Sequence, residues 1–402
     1  SFALAFATFA FQALLTATAA EQIDRTLAGE EQSLPPTTSE RDVLGTLYTW
    51  TDGGSWTTST NWLSPDGSHC DWFGISCTST ALDGTQLTEP AIERIELSGN
   101  NLKGGLALSI LLRLPHLRVL KLDGNELDLA PPSSMVSEHE VELFGRDYHD
   151  AAANAIISPC QVLELSHNDL GDVRDLYRTV FHTFSGRDVH MPGLTDFILT
   201  DVHLTGSLMS ELITEMPRVE RLSLDMNDLK GQIPVELGNL NSLRFLSMRD
   251  NAFSGAIPES LGQPRKLRYL SLRGNRLTGK IPVEFSSDES LPFLEHLDLS
   301  RQKVDDRGTG LSNSAGLTGK LPAFNSQTNL RQLDLSFNSL TGTVASDFLA
   351  SVNPQTFDYA FLGSNEISGT VAASALARLP YDAVFLEDNK ISGLADGICD
   401  PA

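Results

Sequence analysis

From Val219 to Pro282 the chain writes one order of apolar and polar positions three times. Val219-Glu-Arg-Leu-Ser-Leu-Asp-Met-Asn227 returns as Leu243-Arg-Phe-Leu-Ser-Met-Arg-Asp-Asn251 and as Leu267-Arg-Tyr-Leu-Ser-Leu-Arg-Gly-Asn275. Apolar residues at the first, fourth and sixth places, with polar residues between them, predict a short strand with one face inward and one in water. A single such unit cannot close a core, so successive units must stack, each burying its apolar face against the next. The asparagine at the ninth place has a side chain suited to backbone groups that the turn would leave unpaired. The continuations Leu229-Lys-Gly-Gln-Ile-Pro234, Phe253-Ser-Gly-Ala-Ile-Pro258 and Leu277-Thr-Gly-Lys-Ile-Pro282 supply a glycine for the turn and a proline that stiffens the exit.

L-x-x-L-x-L-x-x-N at a fixed period in the twenties is the leucine-rich-repeat signature, and the L-x-G-x-I-P continuation resembles the plant-type subclass. The ninth-place asparagines are Asn100, Asn125, Asn168, Asn227, Asn251, Asn275, Asn338, Asn365 and Asn389. Two further coils, around Phe197-Ile-Leu199 and Leu297-Asp-Leu299, lack that asparagine. The expected fold is an α/β solenoid: a curved, right-handed superhelix of roughly eleven coils with a parallel concave sheet about 50 Å long at ordinary strand spacing. Irregular spacing marks loop excursions at 128–158, 171–192 and 301–315.

The flanks read differently. Residues 1–20 carry no charge and end in small residues, Ala17-Thr18-Ala19, before Glu21. They read as a signal peptide, with a retained membrane anchor as the alternative. Residues 21–38 are polar, contain Pro35-Pro36 and read as a linker. From Glu40, the positions of Val43, Leu44, Leu47, Tyr48 and Trp50 predict a short amphipathic helix with Ser39 as its N-cap. Trp56, Asn61-Trp62 and Cys70-Asp-Trp-Phe-Gly-Ile-Ser-Cys77 follow. Helix, tryptophans and C-x-W-x-G-x-x-C together resemble the N-terminal cap of plant-type repeat ectodomains, in a form most similar to algal, stramenopile and bacterial members. The cap is assigned to 39–90, the repeats to 91–395, and the start of a C-terminal cap to 396–402. Cys70 and Cys77 are expected to form a disulfide, worth about 2.5 kcal/mol for so short a loop in the chain-entropy picture, and hence to report an oxidising compartment. Their spacing, with only His69 nearby, makes a poor zinc site. Cys160 falls on a core-facing place and reads as a free buried thiol. Cys399 follows the last coil, with its partner expected beyond Ala402.

A net charge of −23 disfavours nucleic acid and anionic membrane as partners. No nucleophile-elbow, zinc-protease, phosphate-loop or kinase pattern occurs, and no N-x-S/T sequon, so neither a cofactor nor an N-linked glycan is expected. The acidic stretch with His139 and His149 matches no standard ligand set, so no metal is expected. His296 and Asp298 share a strand with no nucleophile beside them.

The solvent-facing strand places carry the candidate chemistry. Arg221, Arg244, Phe245, Arg249, Arg268, Tyr269, Arg273 and His296 fall together there on an otherwise acidic molecule. Arginine and aromatics are what binding hot spots favour, and the guanidinium fork suits carboxylates, sulfates or phosphates. The competing reading is a self-paired Arg/Asp ladder that only solubilises the sheet. Further along, Asp358, Tyr359, Phe361, Glu387 and Asp388 turn the face acidic. Resemblance and face together point to a secreted or cell-surface recognition ectodomain, not an enzyme. Its partner would be a protein, peptide or anionic glycan, with possible membrane attachment through residues 1–20 or sequence beyond 402. A structural or adhesive wall protein is the alternative; a hydrolase inhibitor or enzyme is more remote.

Overall fold

A computed structural model of the chain describes residues 39–106, 108–129, 156–181, 189–287, 290–302, 315–380 and 382–394. The expectations for residues 1–38, the loop histidines His139 and His149, Cys399 and the C-terminal residues lie outside these.

The cap opens with helix α1, Glu40–Trp50, whose Val43, Leu44 and Leu47 are buried. Ser39 caps it as expected: its hydroxyl accepts from the Asp42 N–H while the Asp42 carboxylate accepts from the Ser39 N–H, a reciprocal pair that satisfies otherwise unpaired donors. Behind α1 the aromatics interlock. Trp62 lies 4.7 Å from Trp56, 4.9 Å from Trp72 and 5.7 Å from Tyr48, centroid to centroid. Trp56 Nε1 donates to Thr51 O and Trp62 Nε1 to Phe73 O, so the indole N–H groups are not stranded in the packed cluster. Gly53 is obligatory here, since a Cβ would sit 2.3 Å from the Tyr48 ring. Cys70 and Cys77 are bonded, with Cα atoms 5.6 Å apart. Strand β1, Ile75–Thr80, then turns antiparallel onto β2, Gln86–Glu96, which is also the strand of the first coil.

From β2 onward every neighbour in the twelve-stranded sheet is parallel. With β1 set aside, eleven strands remain among the described residues, one per coil, in agreement with the repeat count. Coils five to eleven carry Arg221–Ser223, Phe245–Ser247, Tyr269–Ser271, His296–Asp298, Gln332–Asp334, Tyr359–Phe361 and Val384–Phe385. The first, fourth and sixth places fill one continuous core, with Leu222, Leu246, Leu270 and Leu333 fully buried. Cys160 joins that core; burial pushes its thiol up to about 12.

Asparagine stitches one coil to the last. Asn227 Nδ2 donates to Leu199 O of the preceding coil and to Leu224 O of its own, while its Oδ1 accepts from the Val202 and Leu204 N–H groups. The coil around Leu297 does this with glutamine: Gln302 Nε2 reaches Leu272 O and its Oε1 accepts from Leu277 N–H. The longer side chain thus keeps a ladder that the repeat pattern showed as interrupted. In the coil around Phe197 the ninth place is Val202, and its backbone carbonyl takes the Leu170 N–H instead.

The glycine stretch does more than turn. Thr205–Ser207, Asp228–Gly231, Ala252–Ala256, Arg276–Lys280 and Leu317–Thr318 form a second parallel sheet along the side of the solenoid. Gly231 and Gly255 sit in it at φ of 86° and 83°, a region that L side chains enter only with strain. Hydroxyls one place before the glycine reach the glycine carbonyl of the preceding coil: Thr318 Oγ1 to Gly279 O at 3.2 Å and Thr341 Oγ1 to Gly319 O at 3.0 Å. Single turns of 3-10 helix follow Pro234, Pro258 and Pro282. Among the described residues no helix is long and apolar enough to cross a membrane.

Alkylating the native protein should leave Cys70, Cys77 and Cys160 unlabelled, the first two through their bond and the third through burial. Reduction should expose the pair. Labelling of Cys70 or Cys77 before reduction, read by peptide mapping, would refute the bridge.

Candidate functional site

Strand places three, five and seven line the concave face, because a period-two strand alternates them with the buried fourth and sixth places, and the second-place Arg244 and Arg268 lie exposed beside them. In-register pairing turns each place into a row along the solenoid. The third-place row runs Arg221, Phe245, Tyr269, His296, Gln332, Tyr359. It is physically continuous. The Arg221 guanidinium lies 5.0 Å over the Phe245 ring, a cation–π contact. Phe245 and Tyr269 stack at 4.4 Å and 10°, and Tyr269 meets His296 at 5.6 Å. His296 Nδ1 bonds Gln332 Oε1 at 2.9 Å, and the Tyr359 hydroxyl donates to the same oxygen at 3.0 Å. Gln332 Nε2 donates to Asp358 Oδ2. Tyr359 packs on Phe361 at 4.4 Å and Phe361 on Phe385 at 4.7 Å.

The arginines are brought together as expected, but each of four faces a carboxylate. Arg221 pairs with Asp196, Arg244 with Glu220, Arg249 with Asp225 and Arg268 with Glu295. The inter-coil ladder foreseen as the competing reading is therefore present. Asp225 is the most buried of these acids, and burial pushes its carboxyl up against the opposing pull of Ser247 and Arg249. Arg273 stands apart, at a distance from which it favours the ionised form of Asp298.

The fifth-place row changes character along its length. Ser223, Ser247 and Ser271 are followed by Asp298, Asp334 and Phe361. Each aspartate uses Oδ1 to accept from the serine two residues on: Ser300 N–H at 3.0 Å and hydroxyl at 2.6 Å, Ser336 N–H at 2.9 Å and hydroxyl at 2.6 Å. Burial pushes the Asp298 carboxyl above its ordinary value, and the neighbouring Asp334 charge adds to this. His296 has its Nδ1 committed to Gln332, which gives it a positioning partner and no nucleophile. The acid pair was visible in the sequence as two successive fifth-place aspartates, yet only the register shows them side by side.

The Leucine Rich Repeat family model matches residues 242–264, 266–287 and 329–350. The fold is that of a leucine-rich-repeat solenoid. The Arabidopsis receptor kinase HAESA, solved with the peptide hormone IDA and the co-receptor SERK1, matches at 23% identity and TM-score 0.62, over 87% of this chain and 50% of that one. A chain of the PEPR1–AtPEP1 crystal structure matches at 21% identity and TM-score 0.51, over 88% of this chain and 51% of that one. A plant ice-binding protein matches at 21% identity and TM-score 0.57, over 87% of this chain and 96% of that one. The chain thus spans about half the length of the HAESA and PEPR1–AtPEP1 chains that it matches.

Reversing two of the arginines, Arg244→Glu with Arg268→Glu, should cost about 1–2 kcal/mol, since each exposed ion pair is worth under about 1 kcal/mol and like charges now meet Glu220 and Glu295. Urea titration at low and high salt measures it, with salt expected to shrink the loss. A loss above about 4 kcal/mol would show the ladder to be structural rather than superficial.

Proposed function

We propose that this chain is a recognition ectodomain whose concave sheet binds an extended peptide or protein segment lying along coils five to ten. Arg221, Arg244, Phe245, Arg249, Arg268, Tyr269, Arg273 and His296 form one half of that surface. The carrying observation is the unbroken third-place row, because aromatic rings held in line by their own contacts are already ordered before a ligand arrives. The way the rings stack selects the ligand class. Phe245 and Tyr269 stack on each other, and Arg221 over Phe245 and His296 against Tyr269 take up the outer sides, so the pair offers mainly edges to a ligand. A sugar ring needs a face to lie on. Peptide side chains and backbone carbonyls can meet an edge, which carries positive partial charge.

Fold alone does not choose a ligand, since the matching structures include a peptide-hormone complex and an ice-binding protein. The surfaces of this chain favour the first kind. An ice-binding face needs a regular, uncharged array; the hydroxyl column of the second sheet is broken by Lys230, and the column beyond the glycines carries Lys280 and Lys320. A purely structural or adhesive wall protein would need the solenoid but no ordered row. The Cys70–Cys77 bond supports residence in an oxidising, extracellular setting.

The test is selection of peptides from a random display library on the immobilised, disulfide-intact chain, followed by affinity measurement against Phe245→Ala/Tyr269→Ala. The expected result is enrichment of a motif whose affinity falls at least tenfold in that variant. Selected peptides that bind the variant unchanged would place recognition elsewhere.

A further inference from the structure

The concave face has a charge imbalance opposite to the one its composition suggests. Its arginine-rich half is internally compensated, since Arg221, Arg244, Arg249 and Arg268 each hold a carboxylate of a neighbouring coil. The acid half is not. Asp298 and Asp334 stand in register on adjacent strands, each with one oxygen held by serine, and among the described residues no cation comes within ion-pairing distance of either. Arg273 reaches Asp298 only as a distant field.

Three further features frame this pair. Ser271 is the in-register neighbour of Asp298 on the same face; its hydroxyl is fully buried and, apart from a weak interaction with the Tyr269 phenol, has no hydrogen-bond partner. Tyr269 stands at one end of the pair and Tyr359 at the other; burial above all opposes ionisation of each phenol, and the Asp298 charge adds to this at Tyr269, the Asp334 and Asp298 charges at Tyr359. Phe361 continues the carboxylate row as an aromatic wall against Tyr359. Two free carboxylate oxygens, a buried hydroxyl and the rings of Tyr359 and Phe361 beside them make a seat for a planar cation. A guanidinium can bridge two carboxylates with its fork of N–H groups and stack against a ring.

We propose that the Asp298–Asp334 pair seats an arginine side chain of the bound segment, so that recognition is of a basic residue over coils eight and nine. This rests on the proposed reading of the concave face as a peptide-binding surface. It replaces an anionic ligand, expected from the arginines alone, with one that carries positive charge at the acid pair.

Two measurements test it. The first is NMR titration of the whole chain with N-acetyl-arginine-N-methylamide, using the uncharged citrulline analogue as control. Saturable shifts are expected for the arginine probe only, with at least tenfold weaker binding in Asp298→Asn/Asp334→Asn. Asparagine keeps the oxygen that accepts from Ser300 and Ser336, so the variant should fold, and its melting temperature should equal or exceed the parent's once the like-charge pair is gone. Equal response to citrulline, no response to arginine, or undiminished binding in the variant would each overturn the proposal. The second is the sequence of the library-selected peptides. Enrichment of arginine, with affinity lost in the double Asn variant, supports it. Peptides that bind the concave face without a basic residue would overturn it while leaving peptide recognition itself intact.

Discussion

Asn251→Ala should lower the free energy of unfolding by about 3 kcal/mol. The side chain is buried; its Oδ1 accepts from Leu229 N–H at 3.1 Å and its Nδ2 donates to Leu224 O, Met248 O and Arg249 O. The carbonyls keep other donors: Asn227 Nδ2 on Leu224 O, Asn275 Nδ2 on Met248 O and Met226 N–H on Arg249 O. Leu229 N–H has no replacement, and one buried unsatisfied donor costs about 1–3 kcal/mol. The remaining loss is the weakened carbonyl bonds and the small void. Asn251→Asp should be worse at neutral pH, because a carboxylate would face three carbonyl oxygens. That group's folded-state pKa would lie above its unfolded value, so stability should recover as pH falls and be lost as pH rises through the folded pKa. Urea unfolding at neutral and acid pH measures both. Equal loss for Ala and Asp at every pH would mean that the donor side of the amide does not matter.

Trp62→Ala should cost about 3–5 kcal/mol, the range for deleting a large buried aromatic. Trp62 is only 8% exposed, touches Tyr48, Trp56 and Trp72, and ties its N–H to Phe73 O. It links the loop after α1 to the disulfide segment, so its loss should open the cap before the coils. Nearest-neighbour coupling in a solenoid then predicts a separate early transition, with hydrogen exchange rising first in β1 and β2. Trp62→Phe keeps a ring and should lose only about 1–2 kcal/mol, from the hydrogen bond and some volume. A single cooperative melt with unchanged protection in β1 and β2 would show that the cap is not the first unit to open.

The solenoid was legible because its pattern is local: leucine places, the Asn place and the Gly-x-Ile-Pro exit recur within a few residues. The cap helix was legible for the same reason, down to Ser39. Gln302 escaped notice because a one-letter pattern treats glutamine as a break, whereas the chemistry needs only an amide that reaches. The second sheet escaped because its strands contain left-handed glycines, which sequence rules read as turns. At the candidate site, the row of aromatics and arginines could be placed on one face from the period of two. What could not be read was pairing between coils. Arg244 meets Glu220 from the preceding coil, and Arg268 meets Glu295 from the following one, after an insertion of irregular length. The same inter-coil register hid the isolation of Asp298 and Asp334.

The central claim is that the concave third-place row contacts the ligand. Its most direct measurement is oxidative footprinting of the chain, free and saturated with its library-selected peptide. The account predicts protection of Phe245, Tyr269, His296 and Tyr359, with no change at Phe337, Phe293 or the residues of the second sheet. Protection on the second sheet, with the row equally oxidised in both states, would contradict it.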